Sequence, residues 1–534
     1  LMALRDKENS LDIRKDPGPG TAGQSGTPLL SAVVVCFVLS GFAALLYQTA
    51  WLRQFSLVFG TSELAVATVL AAYMGGLALG ASIAGRYAGR VQRPILVYGL
   101  LEAGIALSAL AVPLLLMGAR AIYASALGGL PSPPDAAAVG QPVFYLLVAF
   151  VVLAIPTSFM GATLPLLIRY AVRTDREVGP RVALLYATNT GGAVFGTLFA
   201  AFILLPRLGL NGTVWVGVAV NGLVFVIAAL LAKRASGFTS RESAALAASP
   251  TGFLETCVRP LITGTRSRRE RLGVVFSSQP GWILPLILIS GAVSFIYEVL
   301  WTRMLAHVMG GSIYAFATML AAFLTGIALG GGLAGKLAVN RERATMAFAL
   351  AQVSIALLSA GVYTWMVPLI PEELTTYRLA VYAALVMLPA TIFIGATLPL
   401  AVRILTKDET EATVSTARIY SWNTIGAIVG AILAGFYLIP SLGFEGTIQF
   451  AVATNLALAL WAATVITKPK PVYVGITAVL FATAVVAYSP SRPQAVVSST
   501  GFILQYLNNP REIYYGVGRS ATVLMVEEEG YYYL

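Results

Sequence analysis

The chain has 534 residues, of which 57% are hydrophobic and only 11% charged, and its formal net charge is +11. Because ordinary soluble domains carry about 25% charged residues, this composition excludes a typical soluble protein. Two cysteines and a single histidine exclude a disulfide framework and any histidine-based metal cluster.

Long apolar runs follow one another from residue 30 onward, after a polar, Gly- and Pro-rich tail that we expect to be disordered. Runs of about 20 apolar residues are long enough to cross a hydrocarbon core of about 30 Å as helices. The sequence therefore predicts an all-α polytopic membrane protein. The thirteen predicted spans are 30–53, 64–85, 94–117, 143–168, 182–205, 212–232, 283–306, 313–336, 345–368, 378–404, 416–439, 446–467 and 472–489.

The first half of the sequence returns in the second half. Residues 40–53 read SGFAALLYQTAWLR and residues 290–303 read SGAVSFIYEVLWTR, an offset of 250 (290 − 40). GATLPL occurs at 161–166 and again at 395–400, and 186–213 returns as 420–447, an offset of 234 (395 − 161). The change in offset falls in one connection, near 118–142. This pattern indicates two repeats that differ by a loop insertion.

Six spans per repeat is an even number, so both repeats enter the membrane in the same direction. The prediction is a major-facilitator-like pair of parallel six-helix repeats with a thirteenth helix and a short C-terminal β-hairpin segment. The predicted units are a tail at 1–28, a first repeat at 29–234, a linker at 235–282, a second repeat at 283–468, a thirteenth helix at 469–490 and the start of a β-domain at 491–534.

Arginine and lysine residues concentrate in alternate connections, including 86–93, 169–181, 336–343 and 403–418. By the positive-inside rule these connections and the N-terminus are cytoplasmic, in a cell inner membrane. The thirteenth span then places the C-terminus outside the cytoplasm. The net charge reflects topology, and we expect no nucleic-acid partner.

The C-terminal segment 520–534, SATVLMVEEEGYYYL, has strand-forming residues on both sides of an acidic turn and predicts a β-hairpin. The preceding GVGRSA, at 516–521, has G-x-G-x-x-A spacing, but it comes before a strand-like run and does not open a helix. It is therefore discounted as a nucleotide-binding fingerprint.

The duplicated motifs resemble fused major-facilitator/spermidine-synthase membrane proteins. The resemblance rests on the paired segments above, the second spans ending in GLALG and GIALG, GATLPL, YATNTGGAVFG with YSWNTIGAIVG, and LPRLGLNGT with IPSLGFEGT. It covers about residues 30–470, and 514–534 is similar to the small N-terminal β-domain of spermidine synthases.

The resemblance implies a polyamine-related protein and an aminopropyltransferase domain that uses decarboxylated S-adenosylmethionine. The sequence shows no catalytic motif for that reaction. About forty residues after the last span cannot build a nucleotide-binding domain, so we expect no cofactor in this chain and no catalysis of aminopropyl transfer by it alone.

Four polar residues inside the spans form two repeat-related pairs. Gln48 pairs with Glu298 and Glu102 pairs with Gln352, each at the offset of 250. Carboxylates inside membrane spans are costly and usually face a bundle interior or a wet cavity. Two carboxylates at different depths suit a cationic amine or a proton relay. In the alternative interpretation they are satisfied structurally, Glu298 by Arg53 or Arg303.

The remaining candidates also come in pairs. Asn189 and Asn423 are expected to donate interhelical hydrogen bonds or to contact a substrate. Trp51 with Arg53, and Trp301 with Arg303, are expected to anchor span ends at the membrane interface.

Three functions fit the sequence. The first is a polyamine-related protein whose synthase domain is absent from this chain. The second is a secondary transporter of amine cations, and the third is a non-catalytic scaffold that docks a partner protein on the extracytoplasmic side. We expect the lipid bilayer as the general partner in each case.

Overall fold

The computed structural model describes residues 27–59, 63–127, 140–247, 281–310, 312–366, 369–370, 375–465, 511–518, 522–528 and 531–533. The predicted thirteenth span at 469–490 lies outside these residues, as do 1–26 of the predicted tail. The described helices are α1 (Thr27–Phe59), α2 (Glu63–Tyr87), α3 (Pro94–Leu127), α4 (Gly140–Ala171), α5 (Val178–Phe199), α6 (Leu205–Ala247), α7 (Ile283–Met309), α8 (Ile313–Leu337), α9 (Arg341–Trp365), α10 (Thr376–Leu405), α11 (Ala412–Leu433) and α12 (Ile439–Val465).

Two apolar stretches are too long for a single crossing. Asp175–Arg234 has 60 residues and Glu409–Thr464 has 56. As straight helices each would be about 80–90 Å long, against a hydrocarbon core of about 30 Å. Each one folds back at a glycine with positive φ, Gly209 at 66° and Gly443 at 68°, a backbone region that favours glycine. The stretches therefore contain α5 with α6 and α11 with α12, which confirms the first twelve predicted spans.

The same local distortion precedes both folds. A π-helical turn occupies Ala200–Leu204 in the first repeat and Ala434–Leu438 in the second, at the repeat offset of 234 (434 − 200). The sequence repeat is thus a structural repeat down to irregularities of the backbone.

Glycines let helices approach closely inside each repeat. A Cβ added to Gly80 on α2 would overlap the carbonyl of Ser158 on α4, and one added to Gly330 on α8 would overlap the carbonyl of Ile392 on α10. Such close backbone contacts hold membrane bundles together, because the hydrophobic effect does not draw helices together in lipid.

The two repeats meet through α5 packed on α8 and α2 packed on α11. At the second contact Ser82 Oγ donates to Ser421 Oγ over 2.9 Å, and Ser421 also reaches the carbonyl of Ala78. This symmetric pairing of helices is what two parallel six-helix repeats require, and it supports the major-facilitator-like fold class.

The bundle has two unlike ends. We call the end that carries the arginine-rich connections α2–α3, α4–α5, α8–α9 and α10–α11 the basic end, and the other the opposite end. At the basic end one hydrophobic core contains residues of both repeats, among them Phe37, Leu185, Leu286 and Leu400. At the opposite end each repeat has its own core. The repeats therefore share one core at the basic end, whereas at the opposite end they touch outside their cores, as Phe202 does against Tyr314 at 5.2 Å between ring centroids.

An ion pair joins the repeats at the basic end. Arg403, near the end of α10, donates from Nη1 and Nη2 to Oδ1 and Oδ2 of Asp175, both over 2.9 Å. Asp175 belongs to the connection between α4 and α5, so the bond crosses from one repeat to the other. A bidentate pair of this kind fixes orientation as well as distance.

The C-terminal segment forms a small antiparallel sheet of β1 (Arg511–Val517), β2 (Thr522–Glu528) and β3 (Tyr531–Tyr533), in that order. The predicted hairpin is confirmed as β2 paired with β3, with Glu527 opposite Tyr532. The GVGRSA segment begins inside strand β1, which is consistent with its exclusion as a nucleotide-binding motif. The Gly518 carbonyl accepts a hydrogen bond from Arg303 Nη2 over 2.9 Å, so the sheet contacts the opposite end of the bundle.

Candidate functional site: a cavity between the repeats

A cavity of about 200 Å³ lies between the two repeats. Its walls come from α1, α2, α4 and α5 of the first repeat and from the repeat-related α7, α8, α10 and α11 of the second. Four of the predicted candidates line it: Gln48, Glu298, Asn189 and Asn423. Because the repeats are joined at the basic end, the cavity has its floor there.

Glu298 contributes a carboxylate to the cavity wall. Its repeat counterpart Gln48 lines the same cavity from α1, so a carboxylate and an amide stand at equivalent positions on the two sides. Within the described part of the chain Glu298 has neither a hydrogen-bond nor an ion-pair partner. The alternative in which Arg53 or Arg303 neutralises it therefore finds no support in the described contacts.

Asn189 and Asn423 both sit where helices touch. Asn189 Nδ2 donates to the carbonyl of Phe37 on α1 over 3.1 Å, the interhelical bond that the sequence predicts. Gly41 packs against the Asn189 backbone, and its counterpart Gly291 packs against that of Asn423. The two asparagines thus brace α5 on α1 and α11 on α7 while also lining the cavity.

Aromatic side chains supply much of the remaining surface. Tyr73, Tyr186 and Tyr420 line the cavity together with Phe295 and Phe323. Tyr73 is fixed by its hydroxyl, which donates to the carbonyl of Ala44 over 3.3 Å. Aromatic faces attract cations through the negative potential of the ring, so these residues suit the same class of ligand as the Glu298 carboxylate.

Glu102 and Gln352 lie outside the cavity wall, in packed contacts within each repeat. Asn221 Nδ2 on α6 donates to Glu102 Oε2, and Asn455 Nδ2 on α12 donates to Gln352 Oε1. Gln352 Nε2 in turn donates to Ser290 Oγ over 2.8 Å. Of the two predicted candidate pairs, therefore, only Gln48 with Glu298 reaches the cavity directly.

The prediction of interface anchoring is wrong for both tryptophans. Trp51 is 0% exposed and Trp301 is 1% exposed, whereas a side chain at the lipid interface would lie on the outside of the bundle. Trp51 stacks on Tyr47 at 5.1 Å between ring centroids, and Trp301 packs against Tyr363. Both are core residues of their repeats.

The two arginines differ from each other. Arg53 is exposed, and its anchoring role stays a prediction. Arg303 is buried, lies over the ring of Phe444 and bonds to the terminal sheet. Its predicted role as a membrane anchor is corrected to a contact between the bundle and that sheet.

The sequence analysis did not predict four residues of the site and its surroundings: Ser40, Tyr73, Asn221 and Asn455. Asn221 and Asn455 are related by the repeat offset of 234 (455 − 221) and could have been found through it. The described residues contain no cluster of three or more histidine, cysteine, aspartate or glutamate side chains able to hold a metal.

The sequence matches no protein-family model and no curated protein sequence. The chain is similar to many solved structures, two of which share 13% identity with it. One is XylE, a major facilitator superfamily proton:xylose symporter bound to 6-bromo-6-deoxy-D-glucose, with a TM-score of 0.45 over 83% of this chain and 97% of that chain. The other is the human organic anion transporter MFSD10 (TETRAN), with a TM-score of 0.49 over 81% of this chain and 99% of that chain. Similarity this low says nothing about the substrate, and the fold class rests on the helix pairing described above.

Proposed function

We propose that this protein is a secondary transporter of small organic amine cations. The observation that carries the proposal is the Glu298 carboxylate on the wall of a cavity between two repeats, without a protein partner among the described residues. An ammonium group is the ligand that would neutralise this carboxylate and bind the surrounding aromatic faces. The small volume of the cavity favours a small amine, since pockets for drug-sized ligands have volumes of about 300–1,000 Å³.

The unlike ends of the bundle support transport over a scaffold role. The repeats share one core at the basic end and have separate cores at the opposite end, an asymmetry that favours opening of the cavity at the opposite end. A static scaffold has no need of a polar cavity between two halves that are joined unequally at their two ends. Alternating access by rocking one repeat against the other is the mechanism that this architecture allows.

The direction of insertion is part of the proposal. Positive connections favour the cytoplasm, so the basic end is assigned to the cytoplasmic side of a cell inner membrane. The terminal sheet, which contacts the opposite end through Arg303, is then extracytoplasmic. The motif resemblance narrows the amine to a polyamine. A synthase role has no site on which to rest in the described residues, because only the sheet lies outside the bundle.

Counterflow in liposomes tests the proposed function. The full chain is reconstituted, loaded with unlabelled putrescine, and supplied with labelled putrescine outside, with protein-free liposomes as the baseline. We expect exchange in the wild type and a loss of about 30-fold or more in affinity in Glu298→Gln, since removing the partner of a buried ammonium typically costs 2–5 kcal/mol.

Two variants make this test specific. Glu445→Gln removes a carboxylate from an exposed position at the opposite end and should leave exchange unchanged. Gln48→Glu combined with Glu298→Gln moves the carboxylate to the other wall of the cavity and should restore part of the exchange. Wild-type exchange by Glu298→Gln alone would contradict the proposal.

A further inference from the structure

Three residues form the same buried cluster in both repeats. In the first repeat the cluster is Ser40 on α1, Glu102 on α3 and Asn221 on α6. In the second it is Ser290 on α7, Gln352 on α9 and Asn455 on α12. Glu102 and Gln352 are both 0% exposed. The clusters differ in one group only, a carboxyl in the first repeat and an amide in the second.

The hydrogen-bond partners of Glu102 can hold its carboxyl group in either protonation state. Asn221 donates to Oε2, as Asn455 does to the equivalent oxygen of Gln352. The hydroxyls of Ser40 and Tyr98 also lie beside the carboxyl group, and Tyr98 donates to the carbonyl of Cys36 over 3.2 Å. A hydroxyl donates to a carboxylate and accepts from a carboxylic acid, so the cluster suits a carboxyl group that gains and loses a proton.

Among the described residues, no charged side chain faces Glu102. The titratable groups that face it are Cys36 and Tyr47 on α1 and Tyr98 on its own helix. From α6 it meets Asn221, and the neighbouring Gly104 packs on Phe159 of α4, neither of which titrates. All of these groups are neutral in a protein at ordinary pH.

Ser40 connects this carboxyl to the cavity. Its hydroxyl lies beside Glu102, and the residue also lines the cavity wall. The counterpart Ser290 is not among the cavity-lining residues. A route for a proton therefore exists in the repeat that holds the carboxyl. Ser40 is eight residues before Gln48 on α1, so the route enters about 12 Å closer to the basic end than the level of Glu298.

We propose that Glu102 is the proton-binding residue of this protein and that it exchanges its proton with the cavity through Ser40, so that proton release accompanies cation binding at Glu298. In each transfer Glu102 gives its proton to Ser40 Oγ while Ser40 releases its own proton to water in the cavity. The reverse transfer reloads Glu102. This inference rests on the proposed function.

The coupling follows from the charges. Two ionised carboxylates in one low-dielectric region repel each other, so an ionised, unoccupied Glu298 favours the protonated form of Glu102. A cation bound to Glu298 removes that repulsion and lets Glu102 ionise. Cation and proton then move in opposite directions, and a proton gradient drives cation accumulation.

The test uses the same liposomes with a pH indicator trapped inside. In the wild type, adding putrescine outside should move protons in step with labelled cation, and an imposed pH gradient should drive accumulation, both well above the level in protein-free liposomes. Glu102→Gln builds in the first repeat the cluster that the second repeat already contains. We expect it to keep counterflow but to lose both proton movement and gradient-driven accumulation.

The outcomes separate the two proposals. Absence of counterflow in the wild type contradicts the proposed function and therefore also the coupling of proton release to cation binding. Counterflow in the wild type together with undiminished gradient-driven accumulation in Glu102→Gln overturns the coupling alone.

A second pair of variants tests the proton route if Glu102→Gln does not fold. Ser40→Ala should slow proton movement while counterflow continues, and its counterpart Ser290→Ala should change neither. Equal proton movement in Ser40→Ala and the wild type would overturn the route through Ser40, and with it the proposal.

Discussion

The two repeats share a backbone but differ in their charged side chains. Glycine contacts, π-helical turns and folds at positive-φ glycines recur at equivalent positions in both. Asn221 and Asn455 recur too, as donors to the residue at the centre of each buried cluster. These duplicated features build the six-helix unit, which each repeat must form for itself.

The carboxylates are not duplicated in this way. At each of the two depths, only one repeat carries a carboxylate and the other carries an amide. Glu298 faces Gln48 across the cavity, and Glu102 corresponds to Gln352. At the basic end Arg403 pairs with Asp175 of the other repeat, whereas its counterpart Arg169 donates to the carbonyl of Val91 within its own repeat over 3.1 Å. The difference teaches that duplicated polarity maintains the fold, and that the positions where the duplication fails are where function should be sought.

The largest effect is expected where the repeats are most alike. Gly80→Val and Gly330→Val each push a side chain into a backbone carbonyl of the neighbouring helix. We expect each to destabilise the bundle by about 3 kcal/mol or more, because a backbone cannot give way as a flexible side chain can. Thermal unfolding of the purified variants in detergent measures the loss.

Matched controls are available in both repeats. A Cβ at Gly118 or Gly361 meets no atom within 4 Å, so Gly118→Val and Gly361→Val should unfold close to the wild type. If Gly80→Val were disruptive and Gly330→Val were not, the two repeats would not be built by the same helix contacts.

A smaller effect is expected at the ion pair that distinguishes Arg403 from Arg169. Asp175→Asn weakens the link between the repeats at the basic end. The Asp175 side chain is 44% exposed and that of Arg403 is 9% exposed, so we expect a cost of about 1 kcal/mol rather than that of a fully buried pair. This corresponds to a roughly fivefold shift toward conformations open at the basic end.

Spin labels at Arg93→Cys and Lys407→Cys, one in each repeat, report that shift as a longer distance once both native cysteines are replaced. Arg169→Gln is the control, because its hydrogen bond stays within one repeat. An unchanged distance distribution in Asp175→Asn would show that the ion pair does not hold the basic end closed.

Features that occur in both repeats can be predicted from the sequence, whereas contacts between the two repeats cannot. Twelve spans follow from the apolar runs, and the division into two repeats and the pairing of Gln48 with Glu298 follow from the offsets. The bond between Asp175 and Arg403 spans 228 positions and has no counterpart in the other repeat, so no internal comparison could reveal it.

The error at the tryptophans has a simple physical cause. Trp51 next to Arg53, and Trp301 next to Arg303, have the composition of a helix end at the interface. The helices, however, continue to Phe59 and Met309. This extension keeps both tryptophans within the packed part of the bundle, where burial of a large aromatic side chain contributes more than contact with lipid headgroups.

The smallest expected effect concerns the start of α11, where the repeats differ in a helix cap. Asp408 Oδ1 accepts hydrogen bonds from the hydroxyl and backbone N–H of Thr410 and from the N–H of Glu411. The equivalent Thr174 makes no side-chain cap bond.

The hydrogen bonds from Thr410 lower the pKa of Asp408. The stabilising contribution of Asp408 is therefore present above the ordinary Asp pKa of about 3.9 and is lost as the pH falls through the lowered folded value. Asp408→Ala should therefore lower the Tm by about 1 °C or less near pH 7 and by progressively less as the pH falls below about 3.9, and Thr174→Ala should leave it unchanged. A Tm difference for Asp408→Ala that persists in acid would mean that shape, and not the charge of the acceptor, sets the cap apart in the two repeats.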